Sequence, residues 1–396
     1  MRRRALPTLA LGLALLLGAC ATTERPAHEF SVAEQLQLSR HVRSRTAAPM
    51  RSRTMQPAAT PMPLLPAAAE PSIRWTIDGQ EHGLDEYLRR QPVHALLIAR
   101  GNQLLVERYP AGPGSDAHRL SNSMAKTLVG LAAGLARAEG RIDRFDRPLA
   151  HWLPALAGTV HGETTLRNAL RMGSGLRFVE TYEPGDDSSR FRVGFQRFGV
   201  VEAARDFTQR EVPQGTRFAY AGIDTALAAA AVMAAAGEGL ARYLEPRLWQ
   251  AIGAEAPADW GTDASGLELG QCCLWARPRD WLRLGMVLAH DGRRPDTGAV
   301  VIDPAFLMES TDARRLDPPF RPAAGRWGYE HFTWVMNTPE RRFALLGVYG
   351  QAIFVDPARR LVMVHLAAGA TATANRTSLA RERYALWQGV LKSLRD

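Results

Sequence analysis

Residues 120–127 read Leu-Ser-Asn-Ser-Met-Ala-Lys-Thr, and two reactive side chains in this stretch, Ser123 and Lys126, are three positions apart. The stretch opens an apolar run with the spacing of an amphipathic helix. Residues i and i+3 share one face of a helix, so the amine can reach the hydroxyl. A serine hydroxyl is a weak nucleophile until a neighbouring base accepts its proton. The spacing therefore predicts a serine nucleophile paired with a lysine base.

Lysine is almost absent from this chain. Among 49 basic residues, lysine occurs only at Lys126 and Lys392, and all others are arginine. Arginine stays protonated, whereas a buried lysine amine can become neutral. The alternative is that Ser123 caps the helix while Lys126 is solvated in its first turn, but a cation there opposes the helix dipole. The retained lysine favours the catalytic interpretation.

The N-terminus has the organisation of a secretion signal. Three arginines at residues 2–4 precede an apolar run, residues 5–19, that is too short to span a bilayer. The run ends in Leu17-Gly18-Ala19-Cys20, which resembles the bacterial lipoprotein cleavage box. We predict that residues 1–20 are removed and that Cys20 carries a lipid, which implies a periplasmic protein attached to the outer membrane. The alternative is an ordinary secretory signal with an incidental cysteine.

Residues 21–74 are rich in Ala, Pro and Arg and are predicted to form a flexible tether. Residues 75–396 are predicted to form one domain. A β-hairpin is expected over residues 93–109, turning at Gly101-Asn102. Helices are expected over residues 164–172, 225–236 (capped by Asp224), 279–290 and 378–394. Strands are expected over residues 329–336, 343–348, 352–355 and 361–367. This order predicts an α+β fold, with an antiparallel sheet flanked by helices and a mostly helical insertion at about residues 140–290.

Composition argues against several other classes of protein. The net charge of +9 is spread over the signal, the tether and the domain, and no nucleic-acid motif accompanies it, so no nucleic-acid partner is expected. The histidines and cysteines lack metal-ligand spacing, so no metal site is expected. Cys272 and Cys273 are adjacent and could bridge only through a strained ring, so they are expected to behave as small buried hydrophobic residues. GxSxG is absent around Ser123, which disfavours an α/β-hydrolase.

Ordered motifs along residues 80–390 give the chain a family resemblance. It resembles the serine β-lactamase and penicillin-binding superfamily, and more narrowly the class C-like branch with esterases and 6-aminohexanoate-dimer hydrolases. The matching stretches are residues 120–127, Arg171-Met172-Gly173-Ser174-Gly175-Leu176, Phe218-Ala219-Tyr220-Ala221-Gly222, Arg279-Asp280 with Leu284-Gly285, and residues 347–351 before Val355-Asp356-Pro357.

The resemblance implies a role for each matching residue. Ser123 would be the nucleophile, Lys126 the amine that assists its deprotonation, and Tyr220 the group that relays the proton to the leaving group. The backbone N–H of Val348, expected on an edge strand, would be the second oxyanion donor. Substrate contacts are implied for Tyr182, Tyr349, Gly350 and Gln351. For Tyr220 and Tyr182 the alternative is a packing role. No cofactor is implied.

Two departures from the family pattern bear on the substrate. Gly222 stands where the family has Asn or Ser, and residues 345–347 lack the Lys or His that faces a substrate carboxylate. We therefore expect an ester or small amide as the small-molecule substrate. The alternatives are a D,D-carboxypeptidase or weak β-lactamase, and a non-catalytic envelope protein that binds a cell-wall or peptide ligand.

The predicted anchor can be tested through Cys20. We expect Cys20→Ala to move the protein from the membrane fraction to the soluble periplasmic fraction, because the tether contains no other apolar span. Fractionation followed by immunoblotting measures this. A variant that still sediments with membranes would show that a lipid on Cys20 is not the anchor.

Overall fold

A computed structural model describes residues 42–43, 51–111, 114–372 and 378–394 of the 396-residue chain. The predicted signal, residues 1–20 with Cys20, lies outside the described residues, as does most of the predicted tether up to residue 50.

Fifteen strands are assigned in the described residues. In chain order they are β1 (Val42–Arg43), β2 (Ser52–Met55), β3 (Leu65–Pro66), β4 (Arg74–Ile77), β5 (Gln80–Gly83), β6 (Val93–Arg100), β7 (Gln103–Arg108), β8 (His118–Leu120), β9 (Ala258–Gly261), β10 (Leu274–Ala276), β11 (Gly328–Glu330), β12 (Thr333–Val335), β13 (Phe343–Gly347), β14 (Gln351–Asp356) and β15 (Leu361–Ala367).

The α-helices of the described residues lie mostly between β8 and β11. They are α1 (Leu84–Arg90), α2 (Ala125–Ala138), α3 (Val160–Glu163), α4 (Leu166–Leu170), α5 (Asp187–Phe198), α6 (Val200–Ala204), α7 (Gly222–Ala236), α8 (Leu240–Leu244), α9 (Pro278–Ala289), α10 (Pro304–Thr311) and α11 (Ser378–Ser393).

The larger sheet has eight strands in the order β11-β12-β13-β14-β15-β6-β7-β3. Neighbours are antiparallel except β3 and β7. The predicted hairpin forms β6 and β7, and Gly101 adopts a φ of 61° in the turn, a conformation that favours glycine. β15 pairs with β6, from Leu361 opposite Arg100 to Ala367 opposite Val93, which joins the two ends of the domain. The predicted α+β fold, an antiparallel sheet interrupted by a helical insertion, is confirmed.

Helices cover both faces of this sheet. On one face α9 packs against β6, β14 and β15. On the other face the Trp387 ring of α11 stacks on Phe354 of β14, with the ring centroids 5.5 Å apart. α2 packs against α7 within the helical region.

Gly130 allows α2 to approach β11 and β12 closely. A Cβ at this position would lie 2.1 Å from the carbonyl oxygen of His331, so only glycine fits. One turn earlier, Thr127 Oγ1 donates to the carbonyl oxygen of Phe332 at 2.8 Å. These contacts fix α2, and with it Ser123, against the sheet.

The predicted end of the tether at residue 74 is wrong, because residues 51–74 belong to the fold. β2 pairs with β9, and β3 pairs with β7. Met55 and Met62 are fully buried, and Arg283 Nε donates to the Met62 carbonyl oxygen at 2.9 Å. The Ala- and Pro-rich composition concealed the few residues that bind this segment to the domain.

A second sheet, with the order β1-β8-β10-β9-β2, escaped prediction because its strands are two to four residues long. It holds the residues that lead to Ser123. The Ser121 N–H donates to the Leu274 carbonyl oxygen at 2.8 Å, and the Leu274 N–H donates to Ser121 Oγ at 3.2 Å.

Several predicted element boundaries also move. α7 begins at Gly222, so Asp224 lies buried within its first turn and is not its cap. The strand expected over residues 329–336 divides into β11 and β12, because His331 and Phe332 adopt φ values of 42° and 60°.

No helix in the described ranges is by itself long and apolar enough to cross a membrane. α7 and Leu240–Trp249 reach the required length and hydropathy only together, as a pair bent by 66°.

The prediction for Cys272 and Cys273 is wrong, because the two residues form a disulfide with each other and are only half-buried. The bridge lies between β9 and β10. The residue before it, Gln271, contributes a carbonyl oxygen to the site described next.

Candidate active site

Ser123 lies in a single 3-10 turn, Asn122–Met124, that leads directly into α2. The residue before it, Asn122, has a φ of 46° and is tied to the opposite side of the site, where its Nδ2 donates to the Val348 carbonyl oxygen at 3.2 Å. Ser123 itself is half-buried, and its hydroxyl hydrogen-bonds to the Tyr220 phenol. The predicted nucleophile is thus held at the start of a buried helix and remains open to a substrate.

Lys126 is buried, with 2% of its surface exposed. Its Nζ donates to the Gln271 carbonyl oxygen at 2.8 Å and lies 5.3 Å from the centroid of the Tyr220 ring. Burial lowers the pKa of Lys126 to about 8, against the opposing effect of the Glu180 carboxylate. The neutral amine is therefore accessible close to neutral pH.

Tyr220 stands between Ser123 and an aromatic wall. Its ring stacks on Trp334, with centroids 5.8 Å apart and planes inclined by 17°, and meets the edge of Tyr329 at 6.2 Å. Burial raises the pKa of Tyr220 above its ordinary value, so the phenol remains protonated while Lys126 titrates. The residue is placed to donate a proton.

Tyr182 reaches the same place from the loop before α5. It adopts a φ of 64°, and its N–H donates to Asp186 Oδ2 at 2.8 Å. Its hydroxyl hydrogen-bonds with Tyr220, and 37% of the residue is exposed. Tyr182 therefore borders the site, while its predicted contact with substrate stays a prediction.

Glu180 is a site residue that sequence analysis missed. Its Oε1 accepts from the Tyr182 hydroxyl at 2.9 Å, and its Oε2 accepts from the Gly222 N–H. The feature of the sequence that could have indicated such a residue is Gly222, because a glycine there leaves room for a side chain from elsewhere in the chain.

Val348 opens a turn, Val348–Gly350, after β13. The expected edge strand is wrong, because β13 lies between β12 and β14. A Cβ on Gly347 would lie 2.7 Å from the Ser121 carbonyl oxygen, so glycine brings this turn against the residues before Ser123. The Val348 N–H stays the predicted second oxyanion donor.

The substrate contacts predicted for Gly350 and Gln351 are wrong, because both residues are buried and engaged elsewhere. Gln351 exchanges hydrogen bonds with the backbone of Ala367 through both its amide nitrogen and its amide oxygen. The Gly350 carbonyl oxygen accepts from His365 Nδ1 at 2.8 Å. Tyr349 is half-buried with a φ of 64°, and its contact with substrate stays a prediction.

The arrangement supplies a nucleophile, an amine of lowered pKa and a protonated phenol around one half-open position. Among the residues that the structure describes, no group of three or more His, Cys, Asp and Glu side chains is placed to hold a metal ion. The chemistry that these side chains support is acyl transfer through serine.

Comparison with known proteins identifies the family. A family model described as Beta-lactamase matches residues 84–386. The 6-aminohexanoate-dimer hydrolase of Paenarthrobacter ureafaciens is 26% identical over 311 residues, which cover 75% of this chain and 78% of that protein.

Solved structures share the fold. A Bacillus anthracis protein provisionally assigned as a 6-aminohexanoate-dimer hydrolase has a TM-score of 0.75 at 22% identity, covering 88% of this chain and 92% of that one. EstCE1, a hydrolase with promiscuous acyltransferase activity, has a TM-score of 0.59 at 17% identity, covering 77% of this chain and 94% of that one. Because the family match spans well over half of the chain and includes residues 120–127, the protein belongs to the Beta-lactamase family and is a serine hydrolase.

Proposed function

We propose that this hydrolase cleaves an ester or a small amide through an acyl-enzyme on Ser123. The observation that carries the proposal is the burial of Lys126, which lowers the pKa of its amine to about 8 on the helix face it shares with Ser123. A buried amine that can be neutral is suited to take a proton, and the serine beside it is open to substrate.

Acylation would begin when the neutral Lys126 amine accepts the proton of the Ser123 hydroxyl as Oγ attacks the substrate carbonyl carbon. The backbone N–H groups of Ser123 and Val348 would stabilise the negative charge that develops on the carbonyl oxygen. When the bond to the leaving group breaks, the Tyr220 phenol donates its proton to the leaving oxygen or nitrogen. Tyr220 then recovers a proton from the Lys126 ammonium, so charge and protons balance.

Deacylation would repeat these transfers with water as the nucleophile. Lys126 takes the water proton, the hydroxide attacks the acyl carbon, and the Ser123 oxygen leaves with a proton returned through Tyr220. The Gln271 carbonyl holds the amine in place through both half-reactions, because it accepts from Nζ in either protonation state.

The charges at the site support esters or small amides over carboxylate-bearing substrates. Residues 345–347 are Leu-Leu-Gly and supply no cation, while Glu180 places a carboxylate near Lys126 and Tyr220. A substrate carboxylate would meet repulsion here. The names of two similar proteins, a 6-aminohexanoate-dimer hydrolase and a hydrolase with promiscuous acyltransferase activity, fit this substrate class.

We also propose that the enzyme is a periplasmic lipoprotein attached to the outer membrane through Cys20. The proposal is supported by the arginine-rich start, the short apolar run and the cleavage box of residues 17–20. Its substrate would then be a small molecule of the periplasm.

Labelling tests the proposed nucleophile. We expect a fluorophosphonate to add one label to the folded protein on Ser123. We expect Ser123→Ala to lose both labelling and ester hydrolysis while melting at a similar temperature, because the half-buried hydroxyl caps neither the 3-10 turn nor α2. Intact-mass spectrometry, peptide mapping and hydrolysis of p-nitrophenyl esters measure this. Folded wild-type protein that takes no label would instead favour a non-catalytic binding protein.

Replacement of each lysine by arginine tests whether Lys126 acts as the base. We expect Lys126→Arg to lower kcat/KM at least about 100-fold, since arginine keeps the charge but cannot become neutral. Lys392→Arg is the matched control and should leave kcat/KM unchanged. Thermal melts exclude unfolding. A Lys126→Arg enzyme within a few-fold of wild type would mean that the amine does not act as a base.

A further inference from the structure

The Glu180 carboxylate lies beside the position that a side chain at residue 222 would take. Gly222 is the first residue of α7, and Ala221 before it offers no side chain to cap the helix. The Gly222 N–H donates instead to Glu180 Oε2. A Cβ on Gly222 would lie 3.1 Å from that oxygen, so the carboxylate would have to shift by a few tenths of an ångström to accommodate it. The absence of a side chain at residue 222 therefore allows the carboxylate its present position.

The second oxygen of Glu180 holds the loop before α5. Oε1 accepts from the Tyr182 hydroxyl at 2.9 Å, and Tyr182 hydrogen-bonds in turn with Tyr220. The Glu180 side chain is half-buried and forms no salt bridge with any residue that the structure describes. One carboxylate thus joins the loop, the start of α7 and the tyrosine beside the nucleophile.

The titratable groups that face Glu180 come from several elements. They are Lys126 on α2, Tyr182 on the loop, Tyr220 before α7, Asp224 on α7 and Tyr329 on β11. Arg210 faces Asp224 from the other side. Within this set Lys126 is the only group facing Glu180 that becomes a cation, so the carboxylate favours its protonated form.

We propose that Glu180 is a positioning residue of this active site, which caps the start of α7, where Ala221 has no capping side chain, and holds Tyr182 against Tyr220. The inference rests on the proposed function of Ser123. Glu180 lies on the loop before α5. It therefore supplies a polar group to the site beside Gly222, where the family motif has the side chain of Asn or Ser.

Neutralising the Glu180 carboxylate distinguishes the proposed positioning role from a role in packing alone. Glu180→Gln keeps the size of the side chain but leaves it neutral. We expect the acid limb of the pH profile for fluorophosphonate labelling to move to lower pH, because the amine of Lys126 loses an anion that favoured its proton. We also expect kcat for a p-nitrophenyl ester to fall on the order of tenfold, since Tyr182 and Tyr220 are held less firmly. Glu183→Gln removes an exposed charge from the same loop and should change neither.

A double-mutant cycle tests the dependence between the two positions. Gly222→Ala should lower kcat in the wild-type background, where the new Cβ crowds the carboxylate, and should have little further effect in a Glu180→Ala background. Additive losses would overturn the proposed pairing.

The outcomes also separate this inference from the proposed function. Wild-type protein that fails to label contradicts the function of Ser123. Wild-type protein that labels normally, with an acid limb unmoved in Glu180→Gln, contradicts only the role of Glu180. A Glu180→Gln protein that melts lower but keeps the wild-type profile would show that the carboxylate merely stabilises the loop.

Discussion

The burial of one amine is the constraint on which the site depends. Lys126 is nearly inaccessible to water, and its Nζ donates to the backbone carbonyl oxygen of Gln271. Transfer of an ammonium group into such surroundings is costly, and the pKa of the amine falls to about 8 as a result. An exposed lysine at the same position would remain charged and could not accept the proton of Ser123.

The architecture around this amine serves to keep it dry and aligned. Gly130 brings α2 against the strands of the large sheet, and the short strands β8 and β10 secure Ser121 just before the nucleophile. Tyr220 covers the amine on the other side, supported by stacking on Trp334. Glu180 works in the opposite sense, since its charge favours the ammonium form. The pKa of Lys126 is thus lowered by burial and raised by the Glu180 carboxylate.

The sequence was sufficient for the main sheet, the helix after Ser123 and the hairpin at Gly101, because each has a strong periodic pattern or turn. It was insufficient where structure depends on contacts distant in sequence. Strands of two to four residues carry no periodicity, so the second sheet went unseen, and composition concealed the ordered residues 51–74. Motif matching located Ser123, Lys126 and Tyr220 together, but it assigned Gln351 to the substrate although its amide is bonded to Ala367. Glu180 belongs to no motif, and its place in the site follows from its contacts with Gly222 and Tyr182.

The most direct test is an NMR titration of the lysine side chains in protein labelled with ¹³C-lysine. The chain contains two lysines, so two side-chain signals are expected, and Lys392→Arg assigns them. We predict that the Lys126 signal titrates with a midpoint of about 8, as the burial of its amine requires. A midpoint at or above the ordinary lysine value of 10.5 would show that the amine stays charged, and would contradict its role as the base.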